Sequence, residues 1–266
     1  MKDIKQKSLT LVLGGGSALG FADIGFLQVL EENSIKIDAM VGSSSGSLLG
    51  AFVACGYTAK EIENLALEKL KIRKFIPDLQ PITFWKRGLI SGKRIERFFE
   101  SLLKDKKIEE LDMQFISVAT DIIKGEPYYI KEGPVSRAVR LSISVPGIFR
   151  ATKVGDKLIV DGGIGSNLPV EVAKDLGKDV IIAVDVLGDY KLNKPPKNTI
   201  AMLLSAYMLL QFEATKYKPN PADLTIRMNL EESSVMTFTK KGIKKLIAQG
   251  RMYAEENIEE IKRLLF

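Results

Sequence analysis

Ser44 sits in Gly42-Ser43-Ser44-Ser45-Gly46, directly after the apolar run 37–41, and the 266-residue chain contains no histidine. A serine flanked by glycines between an apolar strand and an apolar helix has the pattern of a nucleophile elbow. The sharp turn brings its two arms too close for side chains, so glycine is needed on both sides. The absence of imidazole excludes a Ser-His-Asp triad, so another group must take the serine proton. Asp161, in Asp161-Gly162-Gly163 at the end of the apolar run 158–160, is the candidate. Asp-Gly is also a common turn signal, and an aspartate in water, with a pKa of about 3.9, is a poor base. Burial raises that value and makes the carboxylate a better proton acceptor. A Ser–Lys dyad is the chemical alternative, but no lysine stands at a recognisable spacing from Ser44.

Gly14-Gly15-Gly16-Ser17 follows the first apolar strand in the same way. Successive backbone N–H groups in such a loop form a cradle for an anion. In acyl transfer that anion is the tetrahedral oxyanion. A dinucleotide loop is the competing reading, but Gly-x-Gly-x-x-Gly fails here. Counted from Gly14 the sixth residue is Leu19, and counted from Gly15 the third is Ser17. No Gly-Lys-Ser/Thr follows, so a P-loop fails as well.

The elements that must hold these residues alternate. Strands are expected at 8–13, 37–41, 115–120, 127–130, 158–160, 180–186 and 224–228. Helices are expected at 18–32, 48–53, 93–103, 135–144, 169–176, 200–215 and from 240 onward. Thr58-Ala59-Lys60-Glu61 is a capping box that opens a further helix. Strand–turn–helix repeated in this way is the grammar of an α/β protein with a parallel sheet covered by helices. The stretch 200–210, the longest apolar run, is too short to span a bilayer and reads as a buried helix. Residues 72–92 follow no clean period and combine two prolines, the only tryptophan, Trp85, and flanking arginines and lysines. Two readings stay open for them: an irregular cover over the core, or a lid through which the protein makes peripheral membrane contact.

Length and composition suit one soluble domain over 1–266, with a motif-bearing core at about 8–190 and a helical C-terminal part at about 196–266. One cysteine, Cys55, leaves no disulfide framework, and with no histidine no metal or cofactor is expected. The charged start of the chain has no signal-peptide pattern, so a cytoplasmic protein is expected, with a peripheral membrane location as its variant. The net charge of +6 comes without any nucleic-acid-binding motif, so no nucleic acid partner is expected. Tyr190 and Lys194 have the Tyr-x-x-x-Lys spacing of a nicotinamide-dependent oxidoreductase, but Pro195-Pro196 follow at once and break the helix that would align them.

The glycine loop, Gly42-Ser43-Ser44-Ser45-Gly46 and Asp161-Gly162-Gly163, in that order, resemble the three hallmarks of the patatin-like phospholipases. Gly25-Phe26-Leu27, Ala119-Thr120-Asp121, residues 142–149 and Asn167-Leu168-Pro169 add to the resemblance, which covers about 8–190. It implies a three-layer α/β/α sandwich with a mostly parallel central sheet, and hydrolysis of lipid acyl esters. It implies Ser44 as nucleophile, Asp161 as base and Gly14, Gly15, Gly16 and Ser17 as the oxyanion loop. Gly20, Gly42, Gly46, Gly162 and Gly163 would support the motifs. Leu19 stands where the family usually carries Arg or Lys, and Ser17 where many members have a further glycine. A non-catalytic lipid-binding protein on the same fold is the alternative that Leu19 keeps open.

Overall fold

The computed structural model describes residues 5–68, 92–103, 106–192, 195–196, 199–230 and 238–266. The expected segment 72–92 lies outside the described residues apart from its last position. An eight-stranded sheet organises the molecule. Its strands are β1 (Leu9–Leu13), β2 (Ala39–Ser43), β3 (Gln114–Asp121), β4 (Glu126–Ile130), β5 (Thr152–Val154), β6 (Lys157–Val160), β7 (Val180–Asp185) and β8 (Leu224–Arg227). The order is β5-β6-β3-β2-β1-β7-β8, with β4 paired to β3 off this path. From β3 to β8 along that order every pairing is parallel. The turns after β1 and β2 therefore leave the sheet side by side, at the carboxyl ends where open α/β sheets bind ligands.

Side chains alternate across β1 as a two-residue period requires. Leu9, Leu11 and Leu13 join a large apolar cluster on one face, and Val12 joins a second cluster on the other. The first cluster packs under helices α1 (Phe21–Glu32), α2 (Ser45–Ala54), α3 (Ala59–Glu68), α4 (Gly92–Leu103) and α5 (Val135–Ser142), and the C-terminal helix α9 (Lys240–Leu265). The second is covered by α7 (Val170–Ala173) and the residues around it. The three-layer α/β/α architecture is thus asymmetric among the described residues, thick on one side and thin on the other. A short helix α6 (Gly162–Gly165) follows β6, and α8 (Thr199–Lys216) precedes β8.

One pairing brings two distant parts of the chain together. β4 occupies one edge of β3 from Ser117 to Asp121. On the other edge β2 runs up to Val118, and antiparallel β6 then takes Thr120 and Asp121. β6 therefore points at the end of β2, and Asp161, the residue after Val160, arrives beside Ser43 and Ser44.

The expectation of a buried helix at 200–210 is corrected by α8. Leu204, Met208 and Phe212 are buried, but Met202, Leu203, Leu209 and Leu210 are exposed. A run whose only polar positions are Ser205 and Tyr207 carries too weak a pattern to reveal which of its faces meets the protein. The strand β5 was not expected, being three residues with a lysine at the centre.

Candidate active site

Ser44 caps α2 with φ 50° and ψ −118°. This is the backbone of the first central residue of a type II′ turn, a region that glycine prefers. The neighbouring glycines make it reachable. A Cβ on Gly42 would stand 2.4 Å from the Gly46 carbonyl oxygen, and one on Gly46 would stand 2.2 Å from that of Leu13. Ser142 fixes the turn from the other side: its Oγ accepts the Ser44 N–H at 2.8 Å and donates to the Val118 carbonyl at 2.6 Å.

Ser44 Oγ donates to Asp161 Oδ2 at 2.8 Å. Asp161 is fully buried, and its other oxygen, Oδ1, accepts from the Gly163 N–H and from the Tyr207 hydroxyl, each at 2.9 Å. Thr120 Oγ1 donates to the Asp161 carbonyl, and the Asp161 N–H donates to the Ser144 carbonyl. The carboxylate is thus held at both oxygens and at its own backbone. Burial pushes its pKa up to about 6, against the opposing pull of the hydrogen bonds from Ser44, Gly163 and Tyr207. Burial and the facing carboxylate hold the Tyr207 hydroxyl well above its ordinary range, so it remains a donor. Gly162 allows the close arrival of β6, since a Cβ there would stand 2.1 Å from the Val118 carbonyl oxygen.

The glycine loop divides into two parts. The Gly14 N–H donates to the Val184 carbonyl at 3.0 Å, and the Gly15 N–H donates to the Asn167 carbonyl at 3.1 Å. These two donors anchor the loop to β7 and to the segment after α6, a correction to the expectation that Gly14, Gly15, Gly16 and Ser17 share one role. Gly16 and Ser17 line the cavity at Ser44. The Gly16 N–H donates to Ser45 Oγ at 2.9 Å, which ties the loop to the elbow. Gly20 lies against the same Ser45 side chain.

That cavity has a volume of about 220 Å³, with Ser44 in its wall. Leu48, Leu49, Phe99, Ile148, Leu204 and Met208 give it an apolar lining. Tyr207 and Gln211 of α8 also face it. Sequence reasoning brought Ser44 and Asp161 together and missed Tyr207, Ser45 and Ser142 as their supports. Ser45 was in view inside the pentapeptide, whereas nothing in the apolar sequence around Tyr207 signals its partner. Among the described residues no group of three or more His, Cys, Asp or Glu side chains could hold a metal ion. Tyr190 lies outside any helix, and Lys194 is outside the described residues.

The sequence model of a family described as "Patatin-like phospholipase" matches residues 11–174. The chain belongs to the patatin-like phospholipase family. Among relatives, an uncharacterized NTE family protein of Mycobacterium tuberculosis is 36% identical over 186 residues, which are 69% of this chain and 31% of that protein. Patatin-like phospholipase domain-containing protein 6 of Homo sapiens is 32% identical over 182 residues, 67% of this chain and 13% of that protein. The chain thus spans less than a third of the length of either relative. Two solved structures share the patatin-like fold. VipD from Legionella pneumophila superposes with a TM-score of 0.59 at 14% identity, covering 96% of this chain and 67% of that one. Human GIVD cytosolic phospholipase A2, in complex with methyl gamma-linolenyl fluorophosphonate, superposes with a TM-score of 0.54 at 11% identity, covering 97% and 58%. Leu19, where patatin-like phospholipases usually carry a cation, is buried beside Val186, Tyr190 and Met228 and is not in the wall of the cavity at Ser44.

Proposed function

We propose that this protein is a serine acyl-ester hydrolase of lipid substrates, with Ser44 as nucleophile and Asp161 as its base. The observation that carries this reading is the 2.8 Å hydrogen bond from Ser44 Oγ to a fully buried carboxylate, in the wall of an apolar cavity. With its pKa pushed up to about 6, Asp161 is ionised at neutral pH and still basic enough to share a proton.

In the first step Ser44 Oγ attacks the ester carbonyl carbon and its proton passes to Asp161 Oδ2. The carbonyl oxygen becomes an oxyanion, for which the Gly16 N–H, turned from Ser45 Oγ, and the first N–H groups of α2 are the donors. The latter have no acceptor within the helix, and the helix dipole favours negative charge there. Collapse of the intermediate breaks the bond to the alcohol oxygen, which leaves as an alkoxide and takes the proton from Asp161. Water then attacks the acyl-enzyme carbonyl while Asp161 takes one of its protons. The second collapse releases the carboxylic acid and returns the proton to Ser44. An alkoxide is a far better leaving group than the nitrogen of an amide, which must be protonated before it can depart, so esters are the expected substrates in preference to amides.

The apolar lining suits an acyl chain. That Leu19 is not in the wall of the cavity at Ser44 supports the catalytic reading over that of a non-catalytic lipid-binding protein. Labelling with a fluorophosphonate probe tests the assignment, alongside turnover of p-nitrophenyl esters of graded chain length and of defined phospholipids. Adduct on Ser44, and turnover lost in folded Ser44→Ala but unaffected by EDTA, is the expected result. Near-normal turnover by folded Ser44→Ala would overturn it.

A further inference from the structure

We infer that the outer face of α8 is the surface on which this protein docks to an anionic lipid bilayer. The inference rests on the proposed lipid hydrolysis for its purpose, but its geometry stands apart from the dyad. Residues 199–212 contain no charged side chain. Within α8, Leu204, Tyr207, Met208 and Gln211 turn inward to the cavity. On the opposite side Met202 is 53% exposed, Leu203 65%, Leu209 45% and Leu210 70%, with Ala206 exposed between them. Positions 202, 203, 206, 209 and 210 follow the spacing that places residues on one helix face. Single exposed leucines are ordinary in soluble proteins; an uninterrupted stripe of them marks a contact surface.

Charge and position point to lipid as the occupant. Residues 189–218 carry five lysines, Lys191, Lys194, Lys197, Lys216 and Lys218, against two acids, Asp189 and Glu213. Among the described residues, Lys191 stands before α8, paired with Asp189, and Lys216, paired with Glu213, and Lys218 stand at its C-terminal end. Tyr217, 84% exposed, stands at its C-terminal end. An apolar strip between lysines, with an aromatic residue at one end, matches the depth profile of a membrane interface, where acyl chains lie beneath charged headgroups. At 18 residues, α8 is about 27 Å long, enough to lie along such a surface. Among the described residues no helix is long and apolar enough to cross a membrane, so the contact is one of lying on the bilayer. The inward face of this same helix forms a wall of the cavity and supplies Tyr207 to Asp161. The docking surface and the wall of the cavity at Ser44 are therefore opposite faces of one helix.

The test is sedimentation of the full chain with vesicles of phosphatidylcholine alone and of phosphatidylcholine mixed with phosphatidylglycerol. Binding is measured for the wild type and for Leu203→Glu/Leu210→Glu, neither of which lines the cavity. We expect binding to the anionic vesicles that weakens with salt and falls at least about tenfold in the double variant. Turnover of soluble p-nitrophenyl butyrate should stay within about twofold of wild type, which also reports that the variant is folded. Leu210→Trp in a Trp85→Phe background gives a second reading, a blue shift of emission on adding anionic vesicles. Undiminished vesicle binding by the double variant overturns the inference. So does light scattering that finds a wild-type dimer which the double variant dissolves, since a second copy then covers the face. A photo-crosslinker at position 210 that captures residues 69–91 equally with and without vesicles overturns it too. Vesicle binding without turnover of any ester would instead remove the hydrolase reading and leave the docking surface intact.

Discussion

Two turns at the same end of the sheet place a serine at positive φ: Ser17 after β1, at 53°, and Ser44 after β2, at 50°. Each is followed by a helical turn, and each lines the same cavity. They differ in what stands behind them. Ser44 is only 8% exposed, its N–H is held by Ser142, and its hydroxyl is aimed at Asp161. Ser17 is exposed. A serine held at positive φ costs on the order of 1–3 kcal/mol, so strained backbone alone does not make a nucleophile. The distinction lies in β6, which runs end-on toward β2 and delivers a buried carboxylate to one turn and not to the other.

Removing the basic group from that carboxylate gives the largest expected break in the comparison. Asp161→Asn can keep the hydrogen bonds from Gly163 and Tyr207 on its oxygen and present its amide to Ser44, but it cannot accept a proton. We expect kcat/KM to fall by at least about a hundredfold. The acid limb, expected in the wild type near the Asp161 pKa of about 6, should vanish. The same substitution should stabilise the fold. Because burial raises the pKa of Asp161, the folded protein favours the neutral acid. Wild-type stability from this group is complete below the unfolded pKa of about 3.9 and is lost as pH rises through about 6. The variant should therefore match wild type at pH 4 and exceed it by on the order of 3 kcal/mol at pH 8, measured by urea unfolding. A variant that keeps its rate, while a lysine substitution abolishes it, would replace the carboxylate base with a Ser–Lys dyad.

A smaller effect is expected at Tyr207, which holds Asp161 Oδ1 without touching Ser44's proton. Its hydrogen bond stabilises the carboxylate, so Tyr207→Phe should move the acid limb of kcat/KM to higher pH and slow the reaction about tenfold or less at pH 6. At pH values above both limbs the rate should recover most of the difference. A rate loss that is the same at every pH would make Tyr207 a wall of the cavity and nothing more.

The two turns were legible in the sequence because each consists of an apolar strand stopped by glycine and resumed by an apolar helix. The capping box was legible for a similar local reason, and Thr58 and Glu61 do exchange side-chain and backbone hydrogen bonds. Asp161 needed both the missing histidine and the family resemblance, since Asp-Gly alone also reads as a turn. What escaped was set by distant contacts. The division of the glycine loop depends on carbonyls of Val184 and Asn167, more than 150 residues away. Tyr207 is 46 residues from Asp161, in a stretch, 200–210, that is apolar but for Ser205 and Tyr207 itself, where no pattern separates the face toward the cavity from the face toward solvent. That same uniformity led 200–210 to read as buried.

The smallest expected effect is at Ser17, and it tests the comparison most directly. Ser17→Gly relieves a left-handed serine, on the order of 1–2 kcal/mol, and loosens the unfolded chain by about 0.5–1 kcal/mol. The net change in stability should lie within about 1 kcal/mol. Both oxygens of Asp161 already have partners, and Ser17 is not among them. Turnover of p-nitrophenyl butyrate should therefore stay within about twofold of wild type. The same substitution at Ser44 also relieves a serine at positive φ, and it removes the attacking oxygen with it. If Ser17→Gly instead lowers kcat by a hundredfold with KM unchanged, the Ser17 hydroxyl acts on the transition state. The two turns would then be two halves of one catalytic device, and β6 would no longer account for the difference between them.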